Sequence, residues 1–273
     1  MNKTVFVDFD GTFADHGWIP PGHLQVVREA RAAGNLVFLC TGRPKVMVPR
    51  RVREGVFDGL VCTAGCYVEL GGEVLSDIRF PAGLAARTTA VLTSQDVSFV
   101  LEAPAALFSS VSAAERVRAL FTSPSWPGDP QDGTDELLAA LHASDDLTGC
   151  SFAKVAIFDS ALSVTTLAAL IGPEVGDLPD SVTDLSGHAG ELFLRGMDKS
   201  VGIAVVEERL GLRRSDVIAI GDGANDLEML AYAGTGVAVQ DAPQEVRAAA
   251  QLIVPGPAEA GLVRAFAELG LAG

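Results

Sequence analysis

The run V-F-V-D-F-D-G-T near the start of the chain places two aspartates, Asp8 and Asp10, one residue apart at the end of a short apolar strand. Three later runs are compatible with it: T-G-R at Thr41 to Arg43, a lysine opening a helix at Lys199, and G-D-G-A-N-D from Gly221 to Asp226. Together they supply what phosphoryl transfer needs. There is a carboxylate nucleophile, a second carboxyl for proton work, a hydroxyl and an ammonium for phosphoryl oxygens, and an acidic magnesium site.

The pattern around these runs alternates strand and helix. Thr4 to Asp8 reads as a strand, Gly22 to Ala33 as a helix, Leu36 to Cys40 as a strand, about Pro44 to Glu54 as a helix, and Gly59 to Thr63 as a strand. Such βαβαβ units imply a parallel sheet with right-handed crossovers. Tyr67 to Leu70 and Glu73 to Leu75, joined by Gly71-Gly72, read as a hairpin beyond it. From about Pro81 to His188 the character changes to Pro and Ser clusters with mixed strand-like and helical stretches, an inserted α+β domain. After Leu192 the alternation resumes, with a helix from Asp198, a strand at Asp216 to Ile220, a helix from Ala224 and a strand at Gly236 to Val239. The expected division is a discontinuous α/β core, residues 1–83 and 189–273, around an inserted domain at 84–188. A length of 273 residues with 48% hydrophobic content suits two packed domains.

Composition narrows the partners. The longest apolar runs fall well short of the roughly 18 residues of a membrane span, and Asp8 comes too early for a signal-peptide core. The expectation is a soluble, cytoplasmic protein. A net charge of -15 opposes nucleic acid and anionic membrane surfaces. It also opposes an anionic substrate, so local positive groups and a cation must overcome it. Cys40, Cys62, Cys66 and Cys150 lack metal-site or C-x-x-C spacing and read as free thiols suited to a reducing compartment.

In an open parallel sheet, ligands gather beyond the carboxyl ends of the strands. Asp8, Thr41 and Asp222 each sit at such an end, so strands distant in sequence deliver them to one crevice, with Lys199 brought in at a helix start. Taken singly, each has a bland reading as a turn residue or helix cap. Their joint order and strand context are what favour chemistry.

With D-F-D-G-T, C-T-G-R-P, G-M-D-K-S and G-D-G-A-N-D-L-E-M-L in that order, the chain resembles the haloacid dehalogenase superfamily, and within it the Cof-like sugar-phosphatase branch with a large cap, of the C2 type, after the third core strand. The resemblance covers about residues 1 to 83 and 189 to 255, and implies a Rossmann-like parallel-sheet core with an inserted α+β cap. It implies a magnesium-dependent phosphatase acting on a small organic phosphomonoester, a sugar phosphate or similar metabolite. Asp8 would form an aspartyl-phosphate, and Asp10 would protonate the leaving oxygen and then deprotonate the attacking water. Thr41 and Lys199 would hold the transferring oxygens. Gly11, Gly42, Arg43 and Asn225 would lie around the phosphoryl group, Gly11 by letting the backbone turn closely. The Asp8 carboxylate, the Asp10 carbonyl and Asp222 would bind magnesium, with Asp226 direct or through water. The cap is expected to close over the core and choose the substrate.

Other residues carry weaker signals. Arg43, Lys45, Arg50, Arg51 and Arg53 form a basic cluster, read mainly as a solvated helix face with Arg43 nearest to substrate. His16, His23, His142 and His188 are scattered and read as surface or capping residues. Gly187 and His188 suit a hinge, and Trp126 reads as a packing anchor. The chain departs from the branch in having Ala64-Gly65 where Asn-Gly is usual, and only P-G-P-A-E-A-G-L-V near the C-terminal end. The rival readings are a phosphotransferase or mutase using the same aspartyl-phosphate, and a low-turnover binding or regulatory protein on the same fold. The complete set of catalytic residue types argues against the latter. Oligomeric state is open.

Overall fold

The structure, a computed structural model, describes residues 2–123, 134–179 and 187–272. Trp126 and its proline-rich loop lie outside the described residues. In chain order the first elements are β1 (Thr4–Val7), α1 (Pro21–Ala32), β2 (Leu36–Cys40), α2 (Arg50–Arg53), β3 (Gly59–Cys62), β4 (Tyr67–Leu70) and β5 (Glu73–Asp77). Then come α3 (Ala82–Ser94), β6 (Ser98–Glu102), β7 (Leu107–Ser109), α4 (Val111–Phe121), α5 (Thr134–Ala140), β8 (Leu141–Ala143), β9 (Lys154–Asp159), α6 (Val164–Ile171), β10 (Val175–Pro179) and β11 (Gly190–Leu194). The last are α7 (Lys199–Leu210), β12 (Val217–Gly221), α8 (Leu227–Tyr232), β13 (Thr235–Val239), α9 (Gln244–Ala249), β14 (Leu252–Val254) and α10 (Gly261–Glu268).

The chain forms two compact units, one from Met1–Asp77 with Asp198–Gly273, the other within Ile78 to Met197. The sequence places the boundaries at 83/84 and 188/189. The return to the core comes later because β11 pairs antiparallel with both β9 and β10, completing the inserted sheet before the chain leaves it.

In the core the strand order is β14-β13-β12-β1-β2-β3-β4-β5, parallel from β14 to β3. The hairpin β4-β5 adds two antiparallel strands at one edge. Strands that are apolar throughout belong where both faces are covered. Val5, Val7, Val37 and Leu39 pack on one face with Val27 of α1 and Phe266 of α10. Phe6, Phe38 and Cys40 pack on the other with Ile203 of α7 and Met229 of α8, the Phe6 and Phe38 rings stacked at 5.0 Å. The order reverses at β1, which lies between β2 and β12. That is the position at which an open α/β sheet presents a crevice.

Two expectations need correcting here. The helix expected over Pro44 to Glu54 is a 3₁₀ turn at Lys45–Met47 followed by α2. Pro49 offers no N–H and would crowd a preceding helical carbonyl, so one continuous helix cannot run through it. His23 is a core residue of α1 and not a surface one. Its Nδ1 is 2.9 Å from the Phe13 carbonyl, and its Nε2 accepts the Leu262 N–H at 3.3 Å. It thereby joins α1 to the turn after β1 and to α10.

The inserted unit is a sheet of order β10-β11-β9-β6-β7-β8, antiparallel except between β7 and β8. Phe99, Leu101, Val155 and Ile157 pack with Leu92 of α3 and Leu167 of α6 into its own core. Lys154 on β9 is buried and pairs with Glu102 of β6 at 3.2 Å and with Glu191 of β11. Burial works against the Lys154 charge, but the two carboxylates outweigh it and keep it protonated. Cys40, Cys62 and Cys66 are buried cysteines, and Cys150 is a half-buried one. No helix among the described residues is long and apolar enough to cross a membrane.

Candidate active site

The residue after β1 is Asp8, buried at the carboxyl end of the central strand. The chain then turns back, with the Phe13 and Ala14 N–H groups donating to the Asp8 and Phe9 carbonyls. Gly11 makes the turn at φ +82°. A Cβ there would stand 2.2 Å from Asp222 Oδ2, so glycine is required by both conformation and space. Thr12, next in line, donates its hydroxyl to Asp222 Oδ1 at 2.6 Å. Thr12 is a residue that sequence reasoning missed. Its signal was its place directly after D-F-D-G.

On the far side of the sheet order, β12 ends in Gly221 and delivers Asp222 and Asp226. Asp226 spends both oxygens within the protein. Its Oδ2 accepts the Asp222 and Gly223 N–H groups at 3.0 and 2.8 Å, and its Oδ1 accepts from Lys199 Nζ at 2.5 Å. Lys199 is also 2.5 Å from Asp8 Oδ1. One fully buried ammonium therefore ties the first and last acidic runs together. Burial opposes its charge, but Asp226 and Asp8 hold its pKa above the ordinary lysine value.

Lys199 is placed by the first turn of α7. Asp198 caps that helix, its Oδ1 accepting the Ser200 N–H at 2.8 Å. The helix then meets the loop after β3 almost backbone to backbone. A Cβ on Gly202 would lie 2.4 Å from Val61 Cγ1 and 3.0 Å from Gly65 Cα, and one on Gly65 would lie 2.1 Å from the Asp198 carbonyl. Thr63, Ala64 and Gly65 in that loop all have left-handed backbone, at φ +51°, +49° and +92°. Such a turn favours Asn and Gly, so Ala64 stands where Asn would fit better. The Thr63 hydroxyl is buried without a hydrogen-bond partner.

The loop after β2 carries Thr41, Gly42 and Arg43. The Arg43 N–H donates to Thr41 Oγ1 at 3.1 Å, and the Thr63 N–H donates to the Arg43 carbonyl at 2.9 Å. The Arg43 guanidinium lies over the Phe9 ring and grips Asp10 with two bonds, Nε to Oδ2 at 2.7 Å and a terminal nitrogen to Oδ1 at 2.6 Å. The other basic residues do not join it. Lys45 pairs with Glu69, Arg50 with Glu54, Arg51 reaches the Gly17 carbonyl, and Arg53 reaches the Lys45 carbonyl. Asn225 is partly exposed, on the 3₁₀ turn between Asp222 and α8. His188 and Gly187 precede β11, inside the inserted unit.

The donor set fits a divalent cation. Oxygens of Asp8, Asp222 and Asp226 come within 4.8 Å of one another. With all three carboxylates ionised, one ammonium would leave two negative charges uncompensated, since Arg43 is occupied by Asp10. Burial accordingly pushes the Asp8 carboxyl well above its usual range, with Lys199 pulling the other way and Asp226, Asp222 and Asp10 adding to the rise. Burial likewise raises Asp222 to about 6, against the Thr12 hydrogen bond. An all-oxygen cluster suits magnesium.

The chain matches the family model for haloacid dehalogenase-like hydrolases over residues 5–266. It is 27% identical to the Bacillus subtilis protein named "Putative phosphatase YkrA", over 99% of this chain and 98% of that one. It is 26% identical to that organism's "Putative phosphatase YxeH" over the full length of both. Among solved structures it is similar to a haloacid dehalogenase subclass IIB sugar phosphatase, with a TM-score of 0.80 and 21% identity over 99% of this chain and 100% of the other.

Proposed function

We propose that this chain, which belongs to the haloacid dehalogenase-like hydrolase family, is a magnesium-dependent phosphatase that cleaves a small phosphomonoester through an aspartyl-phosphate on Asp8. The family and the full-length relatives make it a phosphatase. Magnesium and the covalent route are supported by the residues. The substrate class, a sugar phosphate or similar metabolite, draws on the activity of its structural neighbour.

The observation that carries this reading is the Lys199 ammonium held 2.5 Å from both Asp8 and Asp226 at the sheet's switch point. A carboxylate so placed is fixed in direction, with little freedom to lose on attack. Asp8 would attack phosphorus as the bond to the leaving oxygen breaks, and Asp10 would supply that oxygen's proton. Water would then attack the phosphorus of the aspartyl-phosphate, and Asp10 would take the water's proton as Asp8 is released. Proton transfer of this kind contributes about 10²–10⁴-fold. The Thr41 hydroxyl accepts from the Arg43 N–H, which leaves its own proton for a phosphoryl oxygen. Magnesium, held by Asp8, Asp222 and the Asp10 carbonyl, would offset charge on the phosphoryl group. Asp226, with both oxygens engaged, suits support through water over direct ligation.

The test is phosphate release from a broad panel of phosphomonoesters by wild type and Asp8→Asn, each with magnesium and with excess chelator. Turnover that disappears with the mutation and with chelation supports the reading. An Asp8→Asn variant as active as wild type would reject it.

A further inference from the structure

Asp10 is the proposed proton donor and acceptor, yet both of its oxygens accept hydrogen bonds from Arg43. Held this way, the carboxylate directs neither oxygen to a leaving group. The two partners are not equally anchored. The Arg43 side chain is 17% exposed and packs 4.9 Å from the Phe9 ring centroid, and its backbone is pinned on both sides by Thr41 and Thr63. The Asp10 side chain is 51% exposed. The guanidinium is thus a fixed fork and the carboxylate its movable occupant.

That fork lies two residues from Thr41, on the loop that also presents the Thr41 hydroxyl. A guanidinium fork fits phosphoryl oxygens as well as carboxylate oxygens, and a dianion attracts it more strongly than a monoanion at the same distance. Resting on the phosphatase reading above, we propose that Arg43 is an exchange partner. In the empty enzyme it stores Asp10, and when a phosphomonoester arrives the fork passes to the phosphoryl oxygens. Asp10 is then released only with substrate in place, takes a proton from the solvent to which its half-exposed side chain is open, and passes it to the leaving oxygen. Arg43 acts here as a substrate-binding and positioning residue, and the coupling between its two partners is the new element.

The test compares wild type, Arg43→Met, Arg43→Lys and Asp10→Asn on two substrates. One is the alkyl phosphomonoester that wild type turns over fastest, and the other is p-nitrophenyl phosphate, whose leaving group needs no proton. The dissociation constant of inorganic phosphate, with magnesium, is measured alongside. Exchange predicts that Arg43→Met raises KM for both substrates by roughly 10- to 100-fold, weakens inorganic phosphate similarly, and puts little of its loss on kcat. Arg43→Lys, which keeps the charge and loses the fork, should recover part of the phosphate affinity. The proposal is overturned if Arg43→Met leaves KM and phosphate affinity at wild-type values and lowers kcat selectively on the alkyl substrate, as Asp10→Asn should. Arg43 would then orient Asp10 throughout turnover. Failure of the phosphatase reading shows separately, as absent wild-type turnover or full Asp10→Asn activity on the alkyl substrate, and the phosphate affinities still report on Arg43.

Discussion

Lys199 Nζ and Asp226 Oδ1 lie 2.5 Å apart with both side chains withdrawn from water. The same Asp226 carboxylate gathers the Asp222 and Gly223 N–H groups, so one side chain both shapes the acidic loop and compensates the lysine. Asp226→Ala leaves Lys199 paired with Asp8 but removes one of its two acceptors and the acceptor of both loop N–H groups. A buried hydrogen-bonding group left without its partner costs about 1–3 kcal/mol. Asp226→Ala should therefore lower the urea-unfolding free energy by an amount in that range and abolish phosphate release. A variant with wild-type stability would show that the pair contributes little to the fold.

A second prediction concerns how Lys199 is aimed. Gly202 leaves no room for a methyl group against Val61 and Gly65. Overpacking at such a contact costs typically 1–3 kcal/mol, and here it would push the first turn of α7 away from the sheet. Gly202→Ala should reduce kcat by about tenfold or more through misplacement of the ammonium, with KM changed much less. Steady-state kinetics beside a denaturation curve separates the two effects. A stable variant with unchanged kcat would mean that α7 can shift without moving the lysine tip.

These two contacts also show which levels of the fold are legible in sequence. Both-face burial makes β1, β2 and β12 continuous apolar runs, and the chemical residues fall at their ends, so the core order and the meeting of Asp8, Lys199 and Asp222 can be anticipated. The Gly202 to Gly65 approach joins residues far apart in the chain and has no local pattern. The same holds for Lys154 with Glu102 and Glu191. Their strands pair only through the completed inserted sheet, and the sequence reading finds no anchor there. The burial of His23 is missed for a related reason. Its helix is legible, but the Phe13 carbonyl and Leu262 N–H that satisfy its ring come from opposite ends of the sequence.

His23 gives a prediction for pH. Its Nε2 accepts the Leu262 N–H, so the ring is neutral in the fold, and burial lowers its pKa below the ordinary 6.5, with the Phe13 hydrogen bond opposing. The unfolded chain therefore takes up the proton first as pH falls through about 6.5. The stability His23 contributes is present above that pH and is lost as pH falls toward the lower folded value. Asp222, raised to about 6, has the opposite sign, losing stability as pH rises through that region in the absence of metal. The comparison with His23→Gln cancels the second effect. The stability advantage of wild type over the variant should be larger at about pH 7.5 than at about pH 5.5 in urea titrations. An equal advantage at both would contradict the neutral assignment.

The acidic cluster yields a prediction that does not need turnover. With all three carboxylates ionised, one ammonium would leave a charge deficit that burial makes costly, so a cation bound only by the folded state should stabilise it by mass action. At a magnesium concentration one hundred times the dissociation constant, the gain is about 2.7 kcal/mol, visible as a rise in Tm. Asp222→Ala removes a carboxylate that carries no part of the Lys199 pairing, so the lysine stays compensated while the proposed metal site loses a ligand. The variant should keep a well-defined Tm, and its Tm should respond weakly to magnesium. If wild type and Asp222→Ala rise equally on adding magnesium, the ion is acting elsewhere on an acidic surface. If neither rises up to millimolar concentrations, the cluster is compensated without a metal and the charge argument fails.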